Sequence, residues 1–571
     1  MSIVKFSFSR ELTSQQYVVI RAELPVYNDK TTVYLPVWRP GRYELGNFAK
    51  NVRNIRFYDH REVELDYSKT TDSTWVLATQ DVESISVYYE YFANELNSGS
   101  TFIDPKQLYV NPVNCCVFTD ETFNHEIEVE IDLPEEWQIA TSMESEGNVM
   151  KISGFDELFD APFVASQLLQ ERSFESNGTL FHIWFNGVVK PDWTKILYDF
   201  KRFTDKQIEA FGAFPAKEYH YINQIVPFRK YHGVEHLKST IITLGPTFEI
   251  FEELYSDLLG VSSHELYHSW NVKSIRPIEM FPYDFKRENF SPLGYLCEGV
   301  TTYQGDLFLR KSDVFSDEEF FIEFGDQFQK HFDNPGRLNY SVRNSSIDTW
   351  VDGYDVGAPG RKVSIYTEGC LLAFLTDIFI MRSTNNERNI DDLMKLLFQE
   401  FAQKGRGVSE KDYLTSIEQI AGRPFEGYFN TYFVKPGNLE TELRKALDYV
   451  GCELITNKPK SIFEEKYGVK YLEPINAAAV KVVYPGSPAD RSGLMLEDEI
   501  FAVNNIALTK SLDKWITHFQ GEEIKLLVRR NGIFVEIHLR EPGENYFLKY
   551  SIKHVDNKDG AQEHAFNKWI S

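Results

Sequence analysis

Residues 247–270 read TFEIFEELYSDLLGVSSHELYHSW. Apolar residues recur there every three or four positions, and that spacing predicts an amphipathic helix running into His264-Glu265-Leu266-Tyr267-His268. On a helix, residues four apart lie one turn apart on the same face, so the imidazoles of His264 and His268 can reach one metal ion. Glu265 then flanks the ion and can take a proton from its bound water. With 13 histidines in 571 residues, an accidental motif of this form arises in roughly one such chain in fifty. The competing reading is a helix with two surface histidines near a carboxylate.

A catalytic metal of this type needs a third protein ligand and an open fourth position. No third histidine follows at the spacing of the metzincins. The candidate is Glu298, in GYLCEGVTTY at 294–303. It comes about thirty residues after His268, which leaves room for a loop and a returning helix. Glu279, Asp284 and Glu288 lie closer but in a loop rich in Pro and Phe, whereas the apolar flanks of Glu298 suggest an inward-facing helix. Asp306, about two turns further on, reads either as an acid orienting a ligand histidine or as a solvent-exposed residue. Two imidazoles and one carboxylate suit one zinc ion, a layout that other divalent metals also occupy. Water on such a zinc would have its pKa lowered toward neutrality, and the tetrahedral oxyanion would need a further donor.

Outward from this helix the chain changes character twice. Residues 1–170 alternate apolar and polar in period two, as in YVVIRAELPV, TTVYLPVW, ISVYYEYFA and HEIEVEIDL, and predict a β-sandwich. From 171 to 455 a short strand-like stretch gives way to helices, including DWTKILYDFKRFTDKQIEAFGAF and YTEGCLLAFLTDIFIMR. That pattern predicts a mainly α catalytic domain with a small β-sheet. Residues 456–543 return to short strands and turns in a module of ordinary domain size. Residues 544–571 form a polar and aromatic tail, expected to pack on its neighbours or to be partly disordered.

The formal charge is −25 and the sequence pI is about 5.1. Such a chain repels nucleic acid and anionic membranes, and no Lys/Arg cluster suggests a local exception. No stretch approaches the length of a membrane span, and the N-terminus alternates like a strand instead of carrying a signal peptide. The chain therefore reads as cytoplasmic, or periplasmic if a leader has been trimmed. Five cysteines without a CxxC pair exclude both a disulfide scaffold and a cysteine zinc site, and read as buried thiols.

The stretch HELYHSWNVKSIRP, 264–277, resembles the signature of the PDZ-bearing glycyl aminopeptidases, a family of thermolysin-like zinc peptidases. LCEGVTTYQGDL, 296–307, resembles the third-ligand helix of that family, and the resemblance implies His264, His268 and Glu298 as ligands. Gly233-Val234-Glu235-His236 is similar to its G-x-x-E-H strand, where the glutamate binds the free α-amine of the substrate. The resemblance thus implies Gly233 and Glu235 as substrate-binding residues, with a carboxylate facing an ammonium. Tyr366-Thr367-Glu368-Gly369 resembles a Y-x-K-G motif whose tyrosine donates to the oxyanion, with Glu368 standing where that motif often has Lys. Tyr366 takes the oxyanion role by resemblance.

VVYPGSPADRSGLMLEDEIFAVNNIAL, 482–508, resembles the PDZ domain of bacterial periplasmic proteases. Such modules capture a peptide C-terminus by strand addition. The loop Lys466-Tyr467-Gly468-Val469 departs from the usual carboxylate-binding pattern, so the module reads either as a peptide site or as a packed domain that gates the active site. The functional expectation is a zinc aminopeptidase acting on peptides, with a preference for Gly or Ala implied by the family. The alternatives are an endopeptidase recruiting protein substrates through the PDZ module, and a non-catalytic peptide-binding protein.

Overall fold

A computed structural model of the chain describes residues 3–353 and 357–571. The N-terminal region is built from a seven-stranded sheet, a four-stranded sheet and a three-stranded sheet. Its period-two sequence does what the pleat requires. In the strand Tyr17–Pro25, Val18, Ile20, Ala22 and Leu24 turn inward, and in its neighbour Ser84–Phe92 so do Ile85, Val87, Tyr89 and Tyr91. Successive side chains of a strand point to opposite faces, so these two strands present one apolar wall to the core of the expected sandwich.

The second region opens on a five-stranded sheet ordered Leu169–Ser176, Thr179–Asn186, Glu218–Ile225, Ser239–Gly245, Lys230–Glu235. Lys230–Glu235 is its edge strand and runs antiparallel to Ser239–Gly245. Helices pack on one face of this sheet, joined by Phe181, Ile183, Phe185, Phe200 and Phe203 in one continuous core. The predicted helix over 247–270 begins only at Tyr255, because Pro246 opens a turn whose backbone closes from Glu249 to Pro246 and from Leu254 to Glu249. Thereafter Thr301–Lys311, Asp317–Asp333, Val342–Asp352, Thr367–Ser383, Ile390–Glu400, Glu410–Ala421, Glu426–Tyr432 and Glu440–Tyr449 build the helical body.

The two regions share packing. Met280, Tyr283, Phe285, Cys297, Trp350 and Ile365 of the helical body join the core of the β-rich region. Trp38 sits among Tyr283, Phe285 and Trp350 with ring centroids 5.4, 6.1 and 5.2 Å away. It also donates its indole N–H to Asp284 O at 2.7 Å.

The C-terminal module is a six-stranded sheet with short helices Pro488–Arg491 and Leu512–His518. Ser487 caps the first helix through Asp490 N, as the S-P-A-x-x-x-G pattern requires. The last 28 residues are ordered as a strand and a helix. Lys549–His554 pairs with Cys452–Asn457, and Gly560–Trp569 inserts Trp569 into the helical core, fully buried. Of its apolar residues, Ile552, Ala565, Phe566 and Trp569 join that core. All five cysteines are buried and unpaired to one another. Among the described residues no helix is long and apolar enough to cross a membrane.

Candidate active site

His264 lies in the last turn of the helix Tyr255–Tyr267, and His268 is its C-terminal cap. Their Nε2 atoms are 3.0 Å apart. Glu298 Oε2 stands 3.4 Å from His268 Nε2 and 3.9 Å from His264 Nε2. Tetrahedral zinc with bonds of about 2.0–2.1 Å separates its ligand atoms by about 3.3 Å, so these three donors have the spacing of a ligand set. Burial, then the neighbouring His268, pushes the proton affinity of His264 well below the ordinary value. Burial acts the same way on His268, but the charges of Glu298 and Glu235 outweigh it and raise that imidazole to about 10. The carboxylates of Glu298, Glu235 and Glu265 thus favour positive charge beside His268, which a divalent cation would supply. Glu235 Oε1 and Glu265 Oε2 are buried with no hydrogen-bond partner among the described residues, which again fits a cation or a cationic substrate group nearby.

Local structure explains how Glu298 reaches the histidines. It lies in a widened helical turn, Tyr295–Val300, of the kind that recurs at functional sites. The Asn271 side chain donates to Leu296 O at 2.8 Å and Cys297 O at 3.2 Å, and Thr301 Oγ1 donates to Cys297 O at 2.7 Å. Asn271 also accepts at its main-chain oxygen from His268 Nδ1, 2.6 Å away. One residue therefore ties the histidine helix to the Glu298 turn and fixes the tautomer that leaves His268 Nε2 free for a metal. Asp306 does not orient His268; it lines the cleft instead. Burial, then Glu323, raises its carboxyl to about 7.

Glu265 projects toward the edge strand Lys230–Glu235. Gly233 on that strand meets it so closely that a β-carbon would overlap the Glu265 carboxylate and lie 2.8 Å from Val261 Cγ2. Burial pushes the Glu265 carboxyl well up; His268 opposes the shift and Glu235 and Glu298 add to it. Single donor atoms of Glu235, Glu265 and His268 lie within 4.8 Å of one another. Behind Glu235, Gly41 of the N-terminal region (φ 80°) approaches so closely that a β-carbon there would overlap Glu235 Oε2. The next residue on the strand side, His236, bonds Asp160 at 3.0 Å. Asp160 also accepts from Leu237 N at 2.9 Å and pairs with buried Lys273 at 2.7 Å. Burial alone would raise the Asp160 carboxyl, but Lys273 and His236 hold it well below the carboxylate range.

Tyr366 caps the start of Thr367–Ser383 and lines the same cleft as His264, Glu265, His268 and Glu298, a cavity of about 950 Å³. The unexpected Glu368 points away from it, buried against His331 Nδ1 at 2.6 Å. All the residues expected from the sequence thus converge on one cleft. Tyr43, Gly41, Asn271 and Asp160 join the same neighbourhood, and nothing in the sequence singled them out.

In the C-terminal module, the loop Lys466-Tyr467-Gly468-Val469 expected to receive a carboxylate has its Gly468 N already bonded to Glu464 O at 3.1 Å, and the turn before it is tied inward. Phe463 N and Ser461 Oγ both donate to Asp513 Oδ1, at 3.1 and 2.9 Å.

Comparison with known proteins gives three family matches. Residues 5–167 match the peptidase M61 N-terminal domain, residues 257–372 the M61 glycyl aminopeptidase, and residues 480–530 a PDZ domain. No match is found among curated proteins. Among solved structures, the aminopeptidase N family protein from Idiomarina loihiensis superposes with a TM-score of 0.91 at 21% identity, covering 100% of both chains. An M1 zinc metallopeptidase from Deinococcus radiodurans aligns with a TM-score of 0.45 at 12% identity, over 78% of this chain and 92% of its own.

Proposed function

From the premise that the chain is a metallopeptidase of the M61 glycyl aminopeptidase family, we propose that it removes N-terminal residues from peptides with a zinc ion held by His264, His268 and Glu298. The observation that carries this reading is the placement of Glu235. Its buried carboxylate sits beside Glu265 and His268, and Gly41 of the N-terminal region closes the space behind it. A peptide pairing with the edge strand Lys230–Glu235 has its amino end at Glu235 and no room to continue past it. A protonated amine there satisfies an otherwise unpartnered carboxylate oxygen.

Bound zinc would polarise the scissile carbonyl and acidify a water. The chain's own residues do the rest. Glu265, with its raised proton affinity, takes a proton from the attacking water and returns it to the departing amine. Tyr366 donates a hydrogen bond to the developing oxyanion. Gly233 lets strand and helix approach closely enough for Glu265 and Glu235 to share one cleft. Small N-terminal residues, Gly or Ala, are the preferred substrates in this reading, as the family match implies.

The PDZ domain acts here as a packed domain that shapes the cleft, because Gly468 N of its expected carboxylate loop is already taken by Glu464 O. Lys470 of its edge strand pairs with Asp333, at the end of the helix Asp317–Asp333, and Glu323 and Gln327 of that helix line the cleft. A panel of aminoacyl chromophores, assayed with and without a chelator, tests the proposal. Gly and Ala derivatives should be cleaved fastest and chelation should abolish turnover; activity that survives metal removal would refute it.

A further inference from the structure

Tyr43 and Glu298 are 255 positions apart in the chain, yet the Tyr43 hydroxyl donates to Glu298 Oε1 at 2.9 Å, buried from solvent. Tyr43 belongs to the N-terminal region and retains only 4% of its exposure, and Glu298 retains 2%. The segment that carries it is locked to the helical body. Val37 N donates to Phe285 O at 2.9 Å, Trp38 is anchored at Asp284, and the Tyr43 ring meets the edge of Trp350.

The two oxygens of Glu298 thereby have different tasks. Oε2 faces the histidines, at 3.4 and 3.9 Å, and Oε1 is held by the phenol. A hydroxyl bonded to an ionised carboxylate is a charge-assisted hydrogen bond, strong in a buried site. It occupies a lone pair that the carboxylate would otherwise offer to a metal, and it fixes the rotation of the carboxyl group. We propose that Tyr43 is a positioning residue that presents Glu298 to the metal through one oxygen, so that the N-terminal region sets metal affinity in the catalytic cleft. This inference rests on the reading of His264, His268 and Glu298 as metal ligands.

The test compares the full-length wild-type chain with Tyr43→Phe, which removes one oxygen atom and keeps the ring against Trp350. Both are stripped of metal, and zinc dissociation constants are read by competition with a chromophoric chelator. Partners behind a metal ligand commonly contribute 10–100-fold in affinity, so Tyr43→Phe should bind zinc about 10–100-fold more weakly. A second variant, Tyr43→Met, removes the ring together with the hydroxyl and should weaken binding at least as much. With cobalt(II) in place of zinc, the visible bands of both variants should lose intensity as Glu298 swings to offer both oxygens. Zinc affinity within twofold of wild type overturns the inference, and so does a fall in the metal-free melting temperature at unchanged affinity, because that outcome assigns Tyr43 a packing role only. If the wild type itself takes up no zinc, the reading of the ligand set fails instead.

Discussion

Gly233 lies against Glu265 with no room for a side chain between them: a β-carbon on residue 233 would overlap the carboxylate. Gly233→Ala therefore has to displace Glu265 or the strand. A shift of about 1 Å in a catalytic group can cost about 100-fold in rate. Peptidase kcat should fall by about that factor while zinc content stays at the wild-type level. Unchanged kcat would show that Glu265 tolerates displacement and is not the proton carrier.

Glu235 should matter for substrates with a free amine and for no others. Glu235→Gln keeps the size of the side chain and removes its charge. Loss of a charged partner of this kind costs roughly 2–5 kcal/mol, so kcat/KM on an aminoacyl chromophore should fall by at least about 30-fold. Steady-state kinetics check this, and a change under threefold would remove Glu235 from the amine site.

How much of this was legible in the chain depended on distance along it. His264, Glu265 and His268 share one helical turn, so periodicity alone placed them, and the apolar flanks of Glu298 marked it as inward-facing. Glu235 and Tyr366 carry no such local signal; only their family motifs singled them out. Tyr43, Gly41 and Asp160 act across an interface between regions, and no local pattern reports a contact made 76 to 255 residues away. Asn271 was hidden for a different reason. It bonds main-chain carbonyls of a widened turn, and periodicity does not reveal such a turn. The last 28 residues read as a tail because their apolar positions are scattered among polar ones, yet Ile552, Ala565, Phe566 and Trp569 join the core.

Trp569 ties the C-terminal helix to the helical core. Its ring is fully buried and its N–H donates to Tyr303 OH at 2.6 Å, which in turn bonds Asp377 at 2.7 Å. Trp569→Ala should cost about 3–5 kcal/mol, read as a lower midpoint in urea denaturation of the metal-free chain. A loss below about 1 kcal/mol would mean that the C-terminal helix is a peripheral attachment.

Asp306 makes stability depend on pH in a stated direction. Its carboxyl is raised to about 7 in the folded chain, by burial and by Glu323, against about 3.9 when unfolded. The folded state therefore holds a proton that the unfolded state has lost, and stability falls as pH rises from about 4 to about 7. Asp306→Asn removes this dependence. Its melting temperature relative to wild type should climb across that window and level off above it. A difference that is flat with pH would contradict the assignment.

The central claim is that the enzyme holds its substrate by the free amino end. The most direct measurement is cleavage of one alanine-rich peptide presented in two forms, with a free N-terminus and N-acetylated, with products identified by mass spectrometry. Sequential loss of single residues from the free peptide, and no cleavage of the acetylated one, is the predicted result. Internal cleavage of the acetylated peptide at a comparable rate would contradict it.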